Sequence, residues 1–183
     1  MKKITLITAN PRKAEQLQKH ISCPVSHQAL DLSKIQSLDV IAVAKDKAQR
    51  AFTLLNGPVI VEDTALIFKA LGGLPGPLIK WFLEAVGSQG LCALLSTHPD
   101  RTATAVTCIA YQDKHGQHVF TGETTGKIAD APHHHTDFGW NNIFIPDGSQ
   151  ITWAEMSVVN MEKDSMRLQA VRKLNEYLKL RDE

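Results

Sequence analysis

A long amphipathic helix followed at once by a short apolar strand constrains the fold of this chain more than any other feature. Over residues 39–55, apolar side chains recur at steps of three and four residues, with basic side chains between them. Asn56-Gly57-Pro58 then stops the helix, and Val59, Ile60 and Val61 continue as an apolar β-branched run. A strand that is apolar on both faces is typical of a parallel sheet covered by helices. The pattern therefore predicts an α/β fold.

The rest of the chain alternates in the same way between strand and helix patterns. Strands are predicted over residues 3–8, 24–29, 102–112, 117–128 and 142–145. Helices are predicted over residues 11–20, 78–85 and 89–95 and from about residue 165 onward, and the glycines and prolines of 71–77 predict a loop. This order of elements predicts an α/β chain with a mixed sheet.

Length and charge limit the classes of function. We expect residues 1–183 to form a single domain, since 183 residues are too few for two ordinary ones. The formal net charge of +1 gives no reason to expect a nucleic-acid or membrane partner, so any basic site must be local. The apolar run at residues 4–7 is too short for a signal peptide or a membrane span, and we expect a cytoplasmic protein.

The first candidate site is the segment Thr8-Ala9-Asn10-Pro11-Arg12-Lys13, which joins a strand to a helix. Asn10 is suited to cap the helix, and proline is favoured at the first helical position. Amide groups at a helix start attract phosphate, and Arg12 and Lys13 add positive charge. An ordinary strand-to-helix turn that carries a lysine explains the same residues, and both explanations stay open.

The second candidate site is Glu62-Asp63-Thr64, which we expect at the carboxyl end of the strand that begins near Pro58. Ligands of open α/β sheets gather outside the carboxyl ends of the strands. Adjacent carboxylates at such a position can hold Mg²⁺ or orient a water molecule. A helix cap is the alternative, since aspartate and threonine both cap helices well.

The third candidate site is Phe138-Gly139-Trp140, in a stretch without a regular pattern. An exposed loop gains little by displaying two aromatic side chains, so these residues require an explanation. They could stack on a nucleobase. A small satellite core beneath the loop explains them equally well.

Several stretches, taken in order, resemble the inosine-triphosphate pyrophosphatase (Ham1) family. They are TANPRK from Thr8, the run from Val61 to Leu83, FGWNNIFIPDG from Phe138, WAEM from Trp153 and SMRLQAVRKLNEYL from Ser165. The resemblance implies a long mixed β-sheet with two α/β lobes that flank a central cleft, and usually a homodimer. It also implies an enzyme that uses Mg²⁺ to hydrolyse the non-standard purine triphosphates ITP, dITP and XTP to monophosphate and pyrophosphate.

The resemblance assigns roles residue by residue. Asp63 matches the acidic residue that activates the attacking water and, with Glu62, binds the metal ion. Lys13 and Lys45 match lysines that face the phosphates and complete the catalytic set. The residues expected to contact the substrate are Thr8, Asn10, Lys13, Lys45, Thr64, Lys80, Phe138, Gly139, Trp140, Asn141, Lys163 and Arg167. Phe138 would stack on the purine, and Lys163 and Arg167 match the base-recognition segment.

Four positions depart from the family pattern. Gln16 and Asn141 are neutral where the family usually has carboxylates, and Met166 stands in place of a histidine. Lys34 stands where an acidic metal ligand is usual, and it could itself neutralise phosphate charge there. Two hypotheses follow: an active pyrophosphohydrolase, or a catalytically weakened member that binds nucleotide as a sensor or partner protein.

Overall fold

The protein combines a mixed β-sheet with helices in the computed structural model, which describes residues 4–135, 139–163 and 165–182. The strands are β1 (Ile4–Ile7), β2 (Val25–Gln28), β3 (Val59–Phe68), β4 (Pro75–Gly76), β5 (Thr102–Asp113), β6 (Gly116–Ile128) and β7 (Phe144–Pro146). The helices are α1 (Pro11–His20), α2 (Val40–Leu55), α3 (Ile79–Ala93), α4 (Val158–Lys163) and α5 (Met166–Asp182). Seven strands of the described residues form one sheet in the order β2-β1-β3-β5-β6-β7, with β4 paired to β3. The predicted mixed α/β fold is confirmed.

The amino-terminal half of the sheet is built from parallel strands. β1 pairs in parallel with both β2 and β3, and the register with β3 places Ile7 opposite Val61. Parallel neighbours need a crossover connection, and α1 and α2 lie in the connections from β1 to β2 and from β2 to β3. Val59, Ile60 and Val61 are fully buried, which explains why this run shows no alternation of polar and apolar residues.

The contacts divide the described residues into two compact units. The first unit lies within residues 1–63, 107–122 and 167–183. Its core is aliphatic for the most part and joins β1, α1, β3, β5 and α5 through Ile4, Leu6, Ala14, Leu17, Ile21, Ile60, Ile109, Tyr111, Ala170, Val171, Leu174 and Leu178. The single domain expected for residues 1–183 stays a prediction.

The second unit lies within residues 64–106 and 123–166 and has an aromatic core. The ring centroids of Phe144 and Trp153 are 4.4 Å apart, and Trp140 lies 5.5 Å from Trp153. Leu66 and Phe68 from β3 are fully buried in the same cluster. This packing explains why β3 continues well beyond its buried aliphatic run.

The length of β3 corrects one prediction. The sequence indicated a short strand that ends on Glu62-Asp63-Thr64, but the strand has ten residues and runs from Val59 to Phe68. The acidic pair therefore lies inside the strand rather than at its end. The apolar residues beyond it, Ala65, Leu66 and Phe68, are buried and continue the pairing, which outweighs the low strand propensity of the carboxylates.

The helices largely follow the sequence pattern. Asp39 caps α2 by accepting a hydrogen bond from the Ile41 amide, and Asn56 ends the helix in the left-handed conformation. Gly87, with φ 64° and ψ −176°, interrupts α3 between the two helices expected there. The six-residue helix α4 was not predicted, because so few residues show no helical period. None of the helices described here is long and apolar enough to cross a membrane.

Asp113, at the end of β5, is a buried carboxylate held by three donors. Its Oδ2 accepts hydrogen bonds from the Tyr111 hydroxyl at 3.0 Å and from Nη1 of Arg181 at 2.5 Å. Its Oδ1 accepts one from the His115 amide at 2.8 Å. Burial raises the pKa of Asp113, but the His115 amide and the Arg181 and Tyr111 donors outweigh burial, so the pKa lies below its usual value.

We predict that Asp113→Asn lowers the free energy of unfolding by about 2 kcal/mol at pH 7, because the Arg181 guanidinium loses its buried partner. The stability that this carboxylate contributes is complete above its unfolded-state pKa of about 4 and disappears as the pH falls through the lower folded-state pKa. The difference between variant and wild type therefore shrinks on acidification. Urea denaturation between pH 7 and pH 3 measures it. Asp130→Asn, at a carboxylate whose side chain is 94% exposed, is the control, and an equal loss in both variants would contradict the prediction.

Candidate functional site

The turn between β1 and α1 presents the start of a helix at the end of a strand. Asn10 caps α1, since its Oδ1 accepts hydrogen bonds from the amides of Arg12 at 3.0 Å and Lys13 at 3.2 Å. Oγ1 of Thr8 accepts one from the Asn10 amide at 3.1 Å, and Pro11 occupies the first turn. The expected cap and turn are confirmed. Phosphate binding by these residues stays a prediction.

Glu62 and Asp63 lie on β3 just beyond the point where β1 ends. The parallel register between the two strands stops at the pair of Ile7 and Val61. After Ile7 the chain of β1 turns away into α1, so the two acidic residues stand at the carboxyl end of β1. This is the position at which open α/β sheets bind ligands. Glu62 and Asp63 are nevertheless only 3% and 6% exposed.

Both carboxylate oxygens of Glu62 are bound by basic side chains. Oε2 accepts a hydrogen bond from Nε of Arg167 at 2.8 Å, and Oε1 accepts one from Nη2 of the same residue at 3.1 Å. Nζ of Lys13 lies 3.0 Å from Oε1, and Nη1 of Arg167 donates to Oε1 of Gln16 at 2.6 Å. Burial raises the pKa of Glu62. The charges and hydrogen bonds of Arg167 and Lys13 lower it by a larger amount, so the pKa falls to about 2. Glu62 is therefore an ionised anchor for both cations.

Asp63 pairs with a residue from the loop between β2 and α2. Nζ of Lys34 lies 2.9 Å from Oδ2 of Asp63, and the Asp63 side chain is only 8% exposed. The contact is an ion pair, and Oδ2 is buried without a hydrogen-bond partner among the described residues. A buried carboxylate oxygen with an unused lone pair is suited to accept a proton from a water molecule.

Lys47 adds a basic side chain that sequence reasoning missed. Burial lowers its pKa, the charge of Asp63 raises it, and the charges of Lys13 and Lys34 lower it, with a lower pKa as the net result. Lys45, the predicted residue on the same helix, is exposed. The helical period could have distinguished Lys47 from Lys45. Lys47 lies one turn after the buried residues Val43 and Ala44 and therefore on the same face of α2, whereas Lys45 does not.

Of the residues predicted to contact the base, Gly139, Trp140 and Asn141 lie in the second unit, whereas Arg167 lies in the first. Trp140 is 7% exposed and packs within the aromatic core, which favours the satellite-core explanation for this side chain. Gly139 has φ 57°, in the left-handed region that favours glycine, and Nδ2 of Asn141 donates to Sδ of Met161 at 3.6 Å. Phe138 lies outside the described residues, so stacking on a purine stays a prediction.

Three more predicted substrate contacts also lie in the second unit. Nζ of Lys80, at the start of α3, lies 3.5 Å from Oε1 of Glu84 and 5.4 Å from the ring centroid of Trp81. Thr64 is half-buried on β3, and Lys163 is the exposed last residue of α4. Contact of these three residues with a substrate stays a prediction.

Comparison with known proteins decides the family. The model described as "Ham1 family" matches residues 4–177 of this chain. The chain belongs to the Ham1 family. A curated inosine triphosphate pyrophosphatase of Kluyveromyces lactis is 40% identical, with 96% of this chain and 95% of the relative covered. The inosine triphosphate pyrophosphatase of Neurospora crassa is 41% identical, with 95% of this chain and 91% of the relative covered.

Solved Ham1 structures share the fold. The HAM1 protein of Coxiella burnetii superposes with a TM-score of 0.87 at 23% identity, covering 98% of this chain and 99% of that one. A structure described as nucleoside-triphosphatase / dITP/XTP pyrophosphatase, from Mycobacterium abscessus, gives a TM-score of 0.78 at 25% identity and covers 94% of this chain and 98% of that one. The Ham1 fold expected from the sequence is confirmed.

Ham1 pyrophosphatases in general depend on a divalent metal ion, but the described residues of this chain do not fit a resident one. Both carboxylate oxygens of Glu62 accept hydrogen bonds from Arg167, and the ammonium group of Lys34 forms an ion pair with Asp63. A doubly charged ion about 4 Å from an ammonium group is repelled by about 8 kcal/mol at an effective dielectric constant of about 20. No group of three or more metal-ligating side chains occurs among the residues described here.

We predict that Arg167→Met lowers the free energy of unfolding of this Ham1 chain by about 3 kcal/mol, because it leaves Glu62 buried with less compensation. The double variant Glu62→Gln/Arg167→Met should recover most of the loss, since no unpaired buried charge remains. Urea denaturation of both single variants and the double variant gives the coupling energy. Arg172→Met, at an exposed arginine on the same helix, is the matched control. Additive effects of the two substitutions would show that the pair is not coupled.

Proposed function

We propose that this chain is a nucleoside-triphosphate pyrophosphohydrolase that converts ITP, dITP and XTP to the monophosphate and pyrophosphate. The names of the Kluyveromyces and Neurospora relatives, at about 40% identity over nearly the full chain, support this activity. The observation that carries the proposal is the arrangement around the end of β1. There a buried carboxylate with an unused lone pair, Asp63, lies among basic side chains that suit a polyphosphate.

The basic side chains of the first unit would bind the phosphates. Lys13 and Arg167 meet at Glu62, Lys34 meets Asp63, and Lys47 lies within electrostatic range of both carboxylates. A triphosphate carries about four negative charges at neutral pH, and developing charge on the leaving pyrophosphate needs further stabilisation. Fixed ammonium and guanidinium groups supply it without reorganisation during the reaction.

Asp63 would act as the general base. Its Oδ2 accepts a proton from a water molecule while the water oxygen forms a bond to the α-phosphorus. The bond from that phosphorus to the bridging oxygen breaks, and pyrophosphate leaves with the bonding electrons. The proton stays on Asp63 until it passes to solvent. These steps use residues of the chain alone and need no metal ion on Asp63 or Glu62, whose oxygens are already contacted by basic side chains.

Recognition of the purine base would depend on Lys163 and Phe138, whose contacts with a substrate stay predictions. Inosine and xanthosine present an oxygen at purine position 6, where adenosine presents an amino group. Lys163 or a backbone amide would donate a hydrogen bond to this oxygen and could not form one with the amino group of adenosine. Stacking by Phe138, a homodimeric assembly and a cytoplasmic location complete the proposal.

The alternative, a weakened member that binds nucleotide without useful turnover, rested on Gln16, Lys34, Asn141 and Met166. The curated relatives give it no support. In the structure, Gln16 accepts a hydrogen bond from Arg167, and Met166 is buried in the core of the second unit. Both residues therefore have structural partners of their own, and neither interrupts the contacts of Asp63.

A substrate panel tests the proposed activity. We expect pyrophosphate release from ITP, dITP and XTP with kcat/KM at least about 100-fold above that for ATP, because adenosine has an amino group in place of the oxygen at purine position 6. Equimolar pyrophosphate and nucleoside monophosphate should form. Release of orthophosphate, or equal rates with all purine triphosphates, would contradict the proposal. Tight nucleotide binding without turnover would favour the weakened member.

The role of Asp63 is tested by an isosteric change. We predict that Asp63→Asn lowers kcat by about 10²- to 10⁴-fold and changes KM little, because the amide cannot accept the proton of water. Steady-state kinetics with ITP measure both constants, and thermal unfolding verifies that the variant is folded. Asp46→Asn, which removes a carboxylate paired with Arg50 on the surface of α2, is the control. A kcat near that of wild type would exclude Asp63 as the base.

A further inference from the structure

The charges at the end of β1 are those of an anion site. Two carboxylates, Glu62 and Asp63, are accompanied by four basic side chains, those of Lys13, Lys34, Lys47 and Arg167. A resident Mg²⁺ needs oxygen ligands and a surplus of negative charge around it. Among these six side chains, the basic groups outnumber the carboxylates by four to two. The cluster therefore attracts a polyanion in the absence of any added cation.

Lys34 holds the position that a metal ion on Asp63 would need. Its Nζ lies 2.9 Å from Oδ2, the buried oxygen that has no hydrogen-bond donor among the described residues. Mg²⁺ binds carboxylate oxygens at about 2.0–2.1 Å and requires a nearly octahedral shell. An ion on this oxygen would have to displace the ammonium group of Lys34.

Glu62 cannot replace Asp63 as a metal ligand without losing its own partners. Arg167 contacts both of its oxygens and Lys13 contacts one of them. An ammonium group, by contrast, has three N–H donors and carries a compact charge, so Lys34 can pair with Asp63 and contact a phosphate oxygen at the same time. The geometry thus allows Lys34 to neutralise phosphate charge beside Asp63, as a divalent metal ion would do.

We propose that the Lys34 ammonium takes the place of a resident divalent cation beside Asp63, so that the first unit binds a pyrophosphate group without a protein-bound metal ion. The proposal rests on the proposed function only for the class of ligand, a di- or triphosphate. It concerns binding by the protein and not the identity of the base or the rate of hydrolysis.

Two binding measurements test it on the full chain. Titration with Mn²⁺, followed by the electron paramagnetic resonance signal of the free ion, counts resident divalent sites without any substrate. Calorimetric titration with inorganic pyrophosphate, in EDTA and in Mg²⁺, measures the metal dependence of anion binding. Both are performed on the wild type, on Lys34→Glu and Lys34→Gln, and on Lys114→Glu, which makes the same change of charge at an exposed turn of the same unit.

We expect the wild type and Lys114→Glu to bind no stoichiometric Mn²⁺ and to bind pyrophosphate with a Kd that differs by less than about threefold between EDTA and Mg²⁺. Lys34→Glu should gain one Mn²⁺ site, and its pyrophosphate affinity should fall at least about tenfold in EDTA relative to Mg²⁺. Lys34→Gln should lose pyrophosphate affinity without gaining a Mn²⁺ site. Circular dichroism and thermal unfolding verify that each variant is folded.

Stoichiometric Mn²⁺ binding by the wild type, or loss of its pyrophosphate binding in EDTA, would overturn the proposal. Failure of the proposed function has a different signature. In that case the substrate panel shows no pyrophosphate release, while metal-free binding of pyrophosphate persists and Lys34→Glu still gains its Mn²⁺ site.

Discussion

The buried ion pair between Glu62 and Arg167 is the interaction on which the site depends. It joins the middle of β3 to the start of α5, and Lys13 adds the first turn of α1 to the same carboxylate. Three elements that are remote in sequence are thereby held at the end of β1. Because a buried carboxylate needs compensation for its lost hydration, Glu62 requires these cations, and their positions follow from it.

The same requirement gives the two acidic neighbours different roles. Alternate residues of a strand point to opposite faces, so Glu62 and Asp63 meet different surroundings although they are adjacent. Glu62 is saturated by bidentate arginine and lysine contacts, whereas Asp63 has an ion pair with Lys34 and keeps a lone pair. One carboxylate organises the cations, and the other is left with the capacity to accept a proton.

Much of the local structure could be predicted from the sequence, because local interactions decide it. Asn10 caps α1 through hydrogen bonds to residues two and three positions away, and Asn56 ends α2 with its own backbone conformation. The length of β3 could not be predicted in this way. Its extension depends on Leu66 and Phe68, which are buried by side chains from distant parts of the second unit.

By itself, the sequence determined the fold class, the family and the identity of the acidic pair Glu62 and Asp63. Hydrophobic periods, helix caps and sequence motifs each involve residues that are close together in the chain. Only the tertiary structure decided which cations serve that pair. It placed Lys47 within electrostatic range of Asp63, Lys34 beside the buried oxygen of Asp63, and Arg167 beside Glu62. The physical reason is that these contacts join segments up to 105 residues apart, and no local pattern encodes them. They form where β1 ends beside β3 and where buried charges must find partners.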